Sequence, residues 1–179
     1  MTATTTLGEL TGDYVLDPAH SRIGFAARAA MVAKVRGRFD AFEGRVRLDG
    51  DTPSKSTARL TIRAQSIQTR NRKRDDHLRG GDFLDSDHHP AITFTSTRVR
   101  QTGGTTFQVT GDLDLRGVTR PVTVDVELTD SGDDARGGFR VDFTGSATIN
   151  RRDWTVNGAG GLVGDKVTLR FDIAAIRQS

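Results

Sequence analysis

Cysteine is absent from all 179 residues, which excludes disulfides, thiolate metal sites and thiol catalysis. Only one tryptophan and one tyrosine occur, so aromatic bulk has to come from nine phenylalanines. No run approaches the ~18 apolar residues that a membrane-crossing helix needs. The opening residues, MTATTTLGEL, have neither a basic nor an apolar stretch. No secretory signal is visible there, and a cytoplasmic location is expected. A surplus of one charge sign is missing too: 26 basic side chains stand against 23 acidic ones. Read along the chain, the signs are mostly interleaved, and the balance singles out no partner.

What is present is a two-residue rhythm. Ile23, Phe25 and Ala27 alternate with small or polar residues; Phe42, Gly44, Val46 and Leu48 alternate with Glu43, Arg45, Arg47 and Asp49. Ala58, Leu60, Ile62 and Ala64 follow, then Ile92, Phe94 and Ser96. Phe107 to Leu115, Val122 to Leu128, Phe139 to Ile149 and Val167 to Ile173 complete the series. Apolar residues on one face and charges on the other mark antiparallel sheet with one wet side. Gly103-Gly104, Gly117–Pro121 and Ser131–Asp134 read as connections, and Met31, Val32 and Val35 suggest a helical turn or sharp bend between Ala29 and Val35. Residues 1–12 are expected to form a flexible leader, with a single domain over 13–179. Eight or nine strands with short turns fit a closed barrel or a two-sheet sandwich, and the rhythm suits both. Phe25, Phe42, Phe94, Phe107, Phe139, Phe143 and Phe171 all fall on the apolar rows, which predicts a phenyl-lined interior.

The one long interruption is Ser66–Phe94. It carries a basic run (Arg70, Arg72, Lys73, Arg74, then Arg79), three of the four histidines, and the apolar residues Leu78, Phe83 and Leu84. His88 and His89 are adjacent, so their side chains diverge, and His77 is eleven residues upstream; surface or capping histidines fit better than a metal site. The basic run has no aromatic residue between Ile67 and Gly81 for base stacking, so a solvated helical face is favoured over nucleic-acid binding. Asp75-Asp76 and Asp133-Asp134 lie in polar segments and do not resemble a catalytic pair. The loop from Gly158 to Lys166 lacks the lysine-serine/threonine ending of a phosphate loop and has Val163 where a dinucleotide fingerprint has its third glycine. No Gly-x-Ser-x-Gly elbow occurs. The segment reads best as a short amphipathic insertion that walls or lids an apolar interior.

Several blocks carry a resemblance: Tyr14–Ser21, Met31–Phe39, Arg74–Arg79, Asp82–Asp85, Pro90–Ser96, Arg116–Val122, Ile149–Asp153 and Leu162–Asp165. Their wording and order resemble the YceI family of lipocalin-like proteins. That resemblance implies an eight-stranded antiparallel barrel with a helical insertion around residues 66–90 and a long apolar cavity that takes a polyisoprenoid chain. It also implies a possible homodimer. The chain departs from the family at Ala29-Ala30-Met31, where relatives often have a histidine before a leucine and the methionine, and at Trp154, where phenylalanine is common.

The expected function is therefore non-catalytic binding, transport or storage of an isoprenoid-type lipid, such as a polyprenyl chain or a quinone. The expected lining is Phe25, Phe42, Ile62, Phe94, Phe107, Leu113, Phe139 and Phe143, with Leu78, Phe83 and Leu84 from the insertion. Arg74, His77 and Arg79 are the head-group candidates. The only expected partner besides a second copy is a small apolar ligand; no cofactor, metal, nucleic acid or stable membrane insertion is expected. Two alternatives stand beside this one: an enzyme using His77 as acid or base on a hydrophobic substrate, and a structural or stress-related protein whose core is filled.

Overall fold

The computed structural model describes residues 6–29, 33–159 and 163–178. The alternating rows form eleven strand segments: β1 (Gly12–Leu16), β2 (Arg22–Ala29), β3 (Ala33–Phe39), β4 (Phe42–Leu48), β5 (Thr57–Arg63) and β6 (Ile67–Gln68) come before the insertion. After it come β7 (Ala91–Gln101), β8 (Thr106–Leu115), β9 (Val118–Asp133), β10 (Phe139–Asn150) and β11 (Val163–Arg177). The order β1-β4-β5-β7-β8-β9-β10-β11, with β1 returning to β11, closes an eight-stranded antiparallel barrel. Closure leaves the ring without a free edge.

The extra segments arise because three long strands are broken at one level. β1 and β4 pair below the breaks, while β2 and β3 pair above them, and β6 adds to β3 at Arg38↔Gln68 and Phe39↔Ile67. The breaks are cross-stitched: Asp40 N–H donates to the Ser66 carbonyl at 3.1 Å, and Arg63 N–H to the Ala41 carbonyl at 2.9 Å. At Asp17–Ser21 the bend is an Asp-Pro 3-10 turn whose Asp17 carboxylate accepts from Ala19 N–H. The seam between the first broken strand and the last runs from Tyr14↔Arg177 to Leu16↔Ala175 at β1 and continues at β2 from Arg22↔Asp172 to Ala29↔Val163.

Two cores share the interior. The larger joins Ile23, Ile62, Ile67, Leu113 and Trp154 among others. The smaller gathers Leu10, Tyr14, Val141 and Ala175. Tyr14 is almost fully buried, and its hydroxyl donates to the Leu10 carbonyl at 2.7 Å, so the polar end of the ring is satisfied.

Several expectations need correction. Within the segment expected to be flexible, a 3-10 helix spans Leu7–Leu10, and Leu10 is 3% exposed because it packs into the smaller core; residues 1–5 lie outside the described residues. Of the two readings offered for Ala29–Val35, the antiparallel pairing of Ala29 with Ala33 agrees with the sharp bend and Val35 lies within strand β3; Ala30, Met31 and Val32 lie outside the described residues. The Gly117–Pro121 connection shrinks to Arg116-Gly117, both at positive φ, which suits a two-residue hairpin with the sheet's twist. Pro121 is within β9, where β8 is its only strand neighbour because β10 joins β9 only from Asp125 onward, so its missing N–H is tolerated. Ser131–Asp133 are also strand, and the turn falls at 134–138.

Candidate functional site

Inside the barrel runs an apolar cavity of about 350 Å³. Its wall reaches from Leu7, Leu10 and Leu48 at one end to Leu78, Phe83 and Val156 at the other. A barrel lined with phenyl rings would ordinarily fill itself, and glycine prevents that here. Gly37 faces Phe25 across a strand pair, Gly145 faces Phe171, and Gly111 is diagonal to Phe94. A Cβ at Gly111 would fall 2.5 Å from Phe94 Cζ, and one at Gly37 would fall 2.7 Å from Phe25 Cε1. Each ring thus lies along the wall over a residue with no side chain, which leaves the bore open.

Most of the expected lining residues reach the cavity. Phe25, Ile62, Phe94, Phe107, Leu113 and Phe143 do so from the strands, and Leu78, Phe83 and Leu84 from the insertion. Two do not. Phe42 packs against the flank of the larger core, and Phe139 belongs to the smaller core, where the Arg177 guanidinium stacks 4.3 Å from its ring.

The insertion is built as a braced wall. Helix α1 (Arg72–Arg79) starts at Asn71, whose side chain accepts from Arg74 N–H, and stops at Gly80. Asp75, expected in a wet segment, is 5% exposed and takes both the N–H and the hydroxyl of Thr69, at 2.8 and 2.5 Å. The three head-group candidates are part of the bracing and do not line the cavity. Arg74 donates to the Thr69 hydroxyl and carbonyl, both at 2.8 Å. Arg79 donates to the carbonyls of Gln65 and Ile67 and pairs with Asp76, tying the helix to the strand segment β6. His77 bonds Asp82 at 3.0 Å and meets the Phe83 ring edge-on. The other two histidines of the segment gather on Asp85: His88 at 2.8 Å and His89 at 4.0 Å. The hydrogen bond to Asp85 holds His88 above its usual pKa and, in turn, Asp85 below the usual carboxylate range.

Arg151 was not foreseen. It is 4% exposed and lines the cavity. Its guanidinium donates to the carbonyls of Val156, Gly158, Val163 and Gly164 at 2.6 to 3.1 Å, and lies over the Phe83 ring. Burial pulls its pKa down. The return after Trp154 and the irregular start of β11, where the register with β2 shifts between Val163 and Val167, leave carbonyls that must find donors when buried. That unmet demand was the available signal. Beside it, Trp154 is buried, with its indole N–H on the Leu113 carbonyl at 2.9 Å.

Among the described residues no cluster of three or more potential metal ligands forms, and no helix is long and apolar enough to cross a membrane.

A closed eight-stranded antiparallel barrel around an apolar bore, with one short helix braced against its wall, defines a lipocalin-like protein. Residues 14–175 match the model of the YceI-like domain, and the chain belongs to that family. A UPF0312 protein of Pseudomonas aeruginosa is 37% identical over 171 residues, 94% of this chain and 89% of the relative. One from Pectobacterium carotovorum is 34% identical, covering 94% and 88%. Among solved structures, Burkholderia cenocepacia BcnA superposes with a TM-score of 0.81 at 26% identity, covering 89% of this chain and 98% of that one. A polyisoprenoid binding domain from Saccharophagus degradans superposes at 0.67 with 18% identity, covering 92% and 98%, a likeness of fold.

Proposed function

We propose that the protein is a non-catalytic carrier or store for an isoprenoid-type lipid, whose chain occupies the barrel cavity. The observation that carries this reading is the continuous apolar bore kept open by glycine beneath the phenyl rings. Kinship to a family with a polyisoprenoid binding domain among its structural neighbours supports it. Each buried methylene is worth about 0.8 kcal/mol before ordering costs, so a few isoprene units suffice for useful affinity.

Head-group chemistry contributes little to selection. Among the described residues no unpaired buried side-chain polar atom faces the bore: Arg38 Nε, on the outer face of β3, lies 2.8 Å from Asp40 Oδ1. Arg151 already spends four of its five N–H donors on backbone carbonyls. Shape and apolarity therefore choose the ligand, and polyprenyl alcohols and quinones of equal chain length should compete. The enzyme alternative loses its main residue, because His77 is exposed, bonded to Asp82 and outside the cavity lining.

The test is native mass spectrometry after delipidation and incubation with prenyl alcohols and quinones of graded length. One retained chain per protomer, insensitive to head group, is expected. A protein that takes up none of them under loading would overturn the reading.

A further inference from the structure

The near-neutral composition hides a charge division that the fold makes visible. Between Arg22 and Lys73 the chain has thirteen basic residues and four acidic ones, and between Thr105 and Thr148 it has eight acidic and four basic. The first stretch forms β2 to β6 and the start of α1; the second forms β8 to β10 on the far side of the ring. The expectation of mostly interleaved signs thus fails over these two stretches, and the fold sets them on opposite sides of the ring.

The basic half is densest at the end of the barrel that carries the insertion. On the outer face of the β2–β3 hairpin, Arg28 stands directly opposite Lys34, and Arg36 is two residues on. Like charges facing each other across a strand pair destabilise the hairpin unless something else compensates. The chain then leaves the sheet beside Arg38, where β6 pairs with β3, and delivers Arg70, Arg72 and Lys73 along the same edge. All six side chains belong to exposed residues, and none has an ion-pair partner among the described residues. The nearby acids are engaged elsewhere: Asp40 with Arg38 and Gln68, Asp75 with Thr69, and Asp76 with Arg79.

We infer that this basic edge docks the protein onto an anionic lipid bilayer, with the acidic β8–β10 side turned away from the surface. Cations near an anionic leaflet attract it at about fivefold in partitioning per residue, and opposed charge on the far side orients the approach. The edge flanks the cavity end walled by Phe25, Ala27 and Leu78, so docking there would set the bore beside its source of lipid. The choice of a bilayer over another polyanion rests on the lipid-carrier reading; it is reinforced by the lack of aromatic residues between Ile67 and Gly81 on which bases could stack.

Co-sedimentation with vesicles tests this, using phosphatidylcholine alone and phosphatidylcholine with about one-third phosphatidylglycerol, at low salt and at about 0.5 M salt. Wild type should bind only the anionic vesicles and release in high salt. Arg70→Glu/Arg72→Glu/Lys73→Glu should bind them on the order of a hundredfold more weakly. Acidic side chains suit a helix N-terminus, so α1 should survive the change. Arg28→Gln/Lys34→Gln/Arg36→Gln serves as an independent second variant and should also weaken binding. Arg98→Glu/Arg100→Glu, on β7, should bind nearly as wild type. Binding indifferent to lipid charge, equal binding by the triple variants, or retention on duplex DNA without retention on vesicles would each overturn the inference. The vesicles contain no prenyl lipid, so a protein that docks but never loads a chain refutes the carrier reading alone.

Discussion

Gly111 and Phe94 show how single residues set the bore. The Phe94 ring occupies the space a side chain at 111 would need, with the Thr95 carbonyl oxygen 2.7 Å from where its Cβ would fall, so Gly111→Ala should push the ring into the cavity and shift the strand slightly. Overpacking of this kind costs about 1–3 kcal/mol, which a barrel of this size should tolerate. The expected result is a folded variant, by circular dichroism and thermal melting, with prenyl-lipid uptake largely abolished; uptake at the wild-type level would mean that the ring has another place to go. This device was half legible: Gly111 and Gly145 fall on the apolar rows of the alternation, and so does every phenylalanine over them. Which ring covers which glycine depends on register across strands, which no local pattern carries. Arg151 was not legible at all, because an arginine in an Arg-Arg-Asp run is ordinarily solvated, and only the folded return loop supplies the carbonyls that draw it inside.

At the level of elements, strand cores were plain in the alternation, while ends and breaks were not. The turn residues Ser131-Gly132-Asp133 lie in strand because β9 runs on to pair with β10 up to Phe139↔Asp133, a tertiary demand that overrides local turn chemistry. The bend at Asp17 is the clearest case of a break fastened from afar. Its carboxylate receives His20 from within the bend and Arg136 from the β9–β10 turn. Burial would raise the Asp17 pKa, but the hydrogen bonds from Arg136 and His20 outweigh it and hold the carboxyl below its usual range. A carboxylate depressed in the folded state stabilises above its unfolded pKa of about 3.9, and that contribution is lost as pH falls through the folded value. Asp17→Asn should therefore be less stable than wild type by about 1–2 kcal/mol at neutral pH. The gap should close in acid as Asp17 itself protonates. Denaturant melts at a series of pH values would measure it, and a gap constant down to the acid end would rule out this linkage.

Seen whole, the barrel is a sequential meander in which broken strands count as one: every neighbour in the ring is also a neighbour in the chain, except where β1 meets β11. Seven of its joints can therefore form by closing short or moderate loops, and the eighth must bring together residues about as far apart as the chain allows. Loop closure of that length is entropically the slowest to be repaid. The joint is made in two stretches: a thin one at β1, with three residue pairs and one further bond from Gln178 N–H to the Asp13 carbonyl, and a longer one at β2, with seven pairs. Amides of Val15 and Ile176 should accordingly exchange with deuterium ahead of those of Val109 and Val124 in native-state exchange, and a reversed order would refute this. The barrel then behaves as a sheet that rolls up last along a single hem, whose β1 end is the loose corner of an otherwise firmly stitched closure.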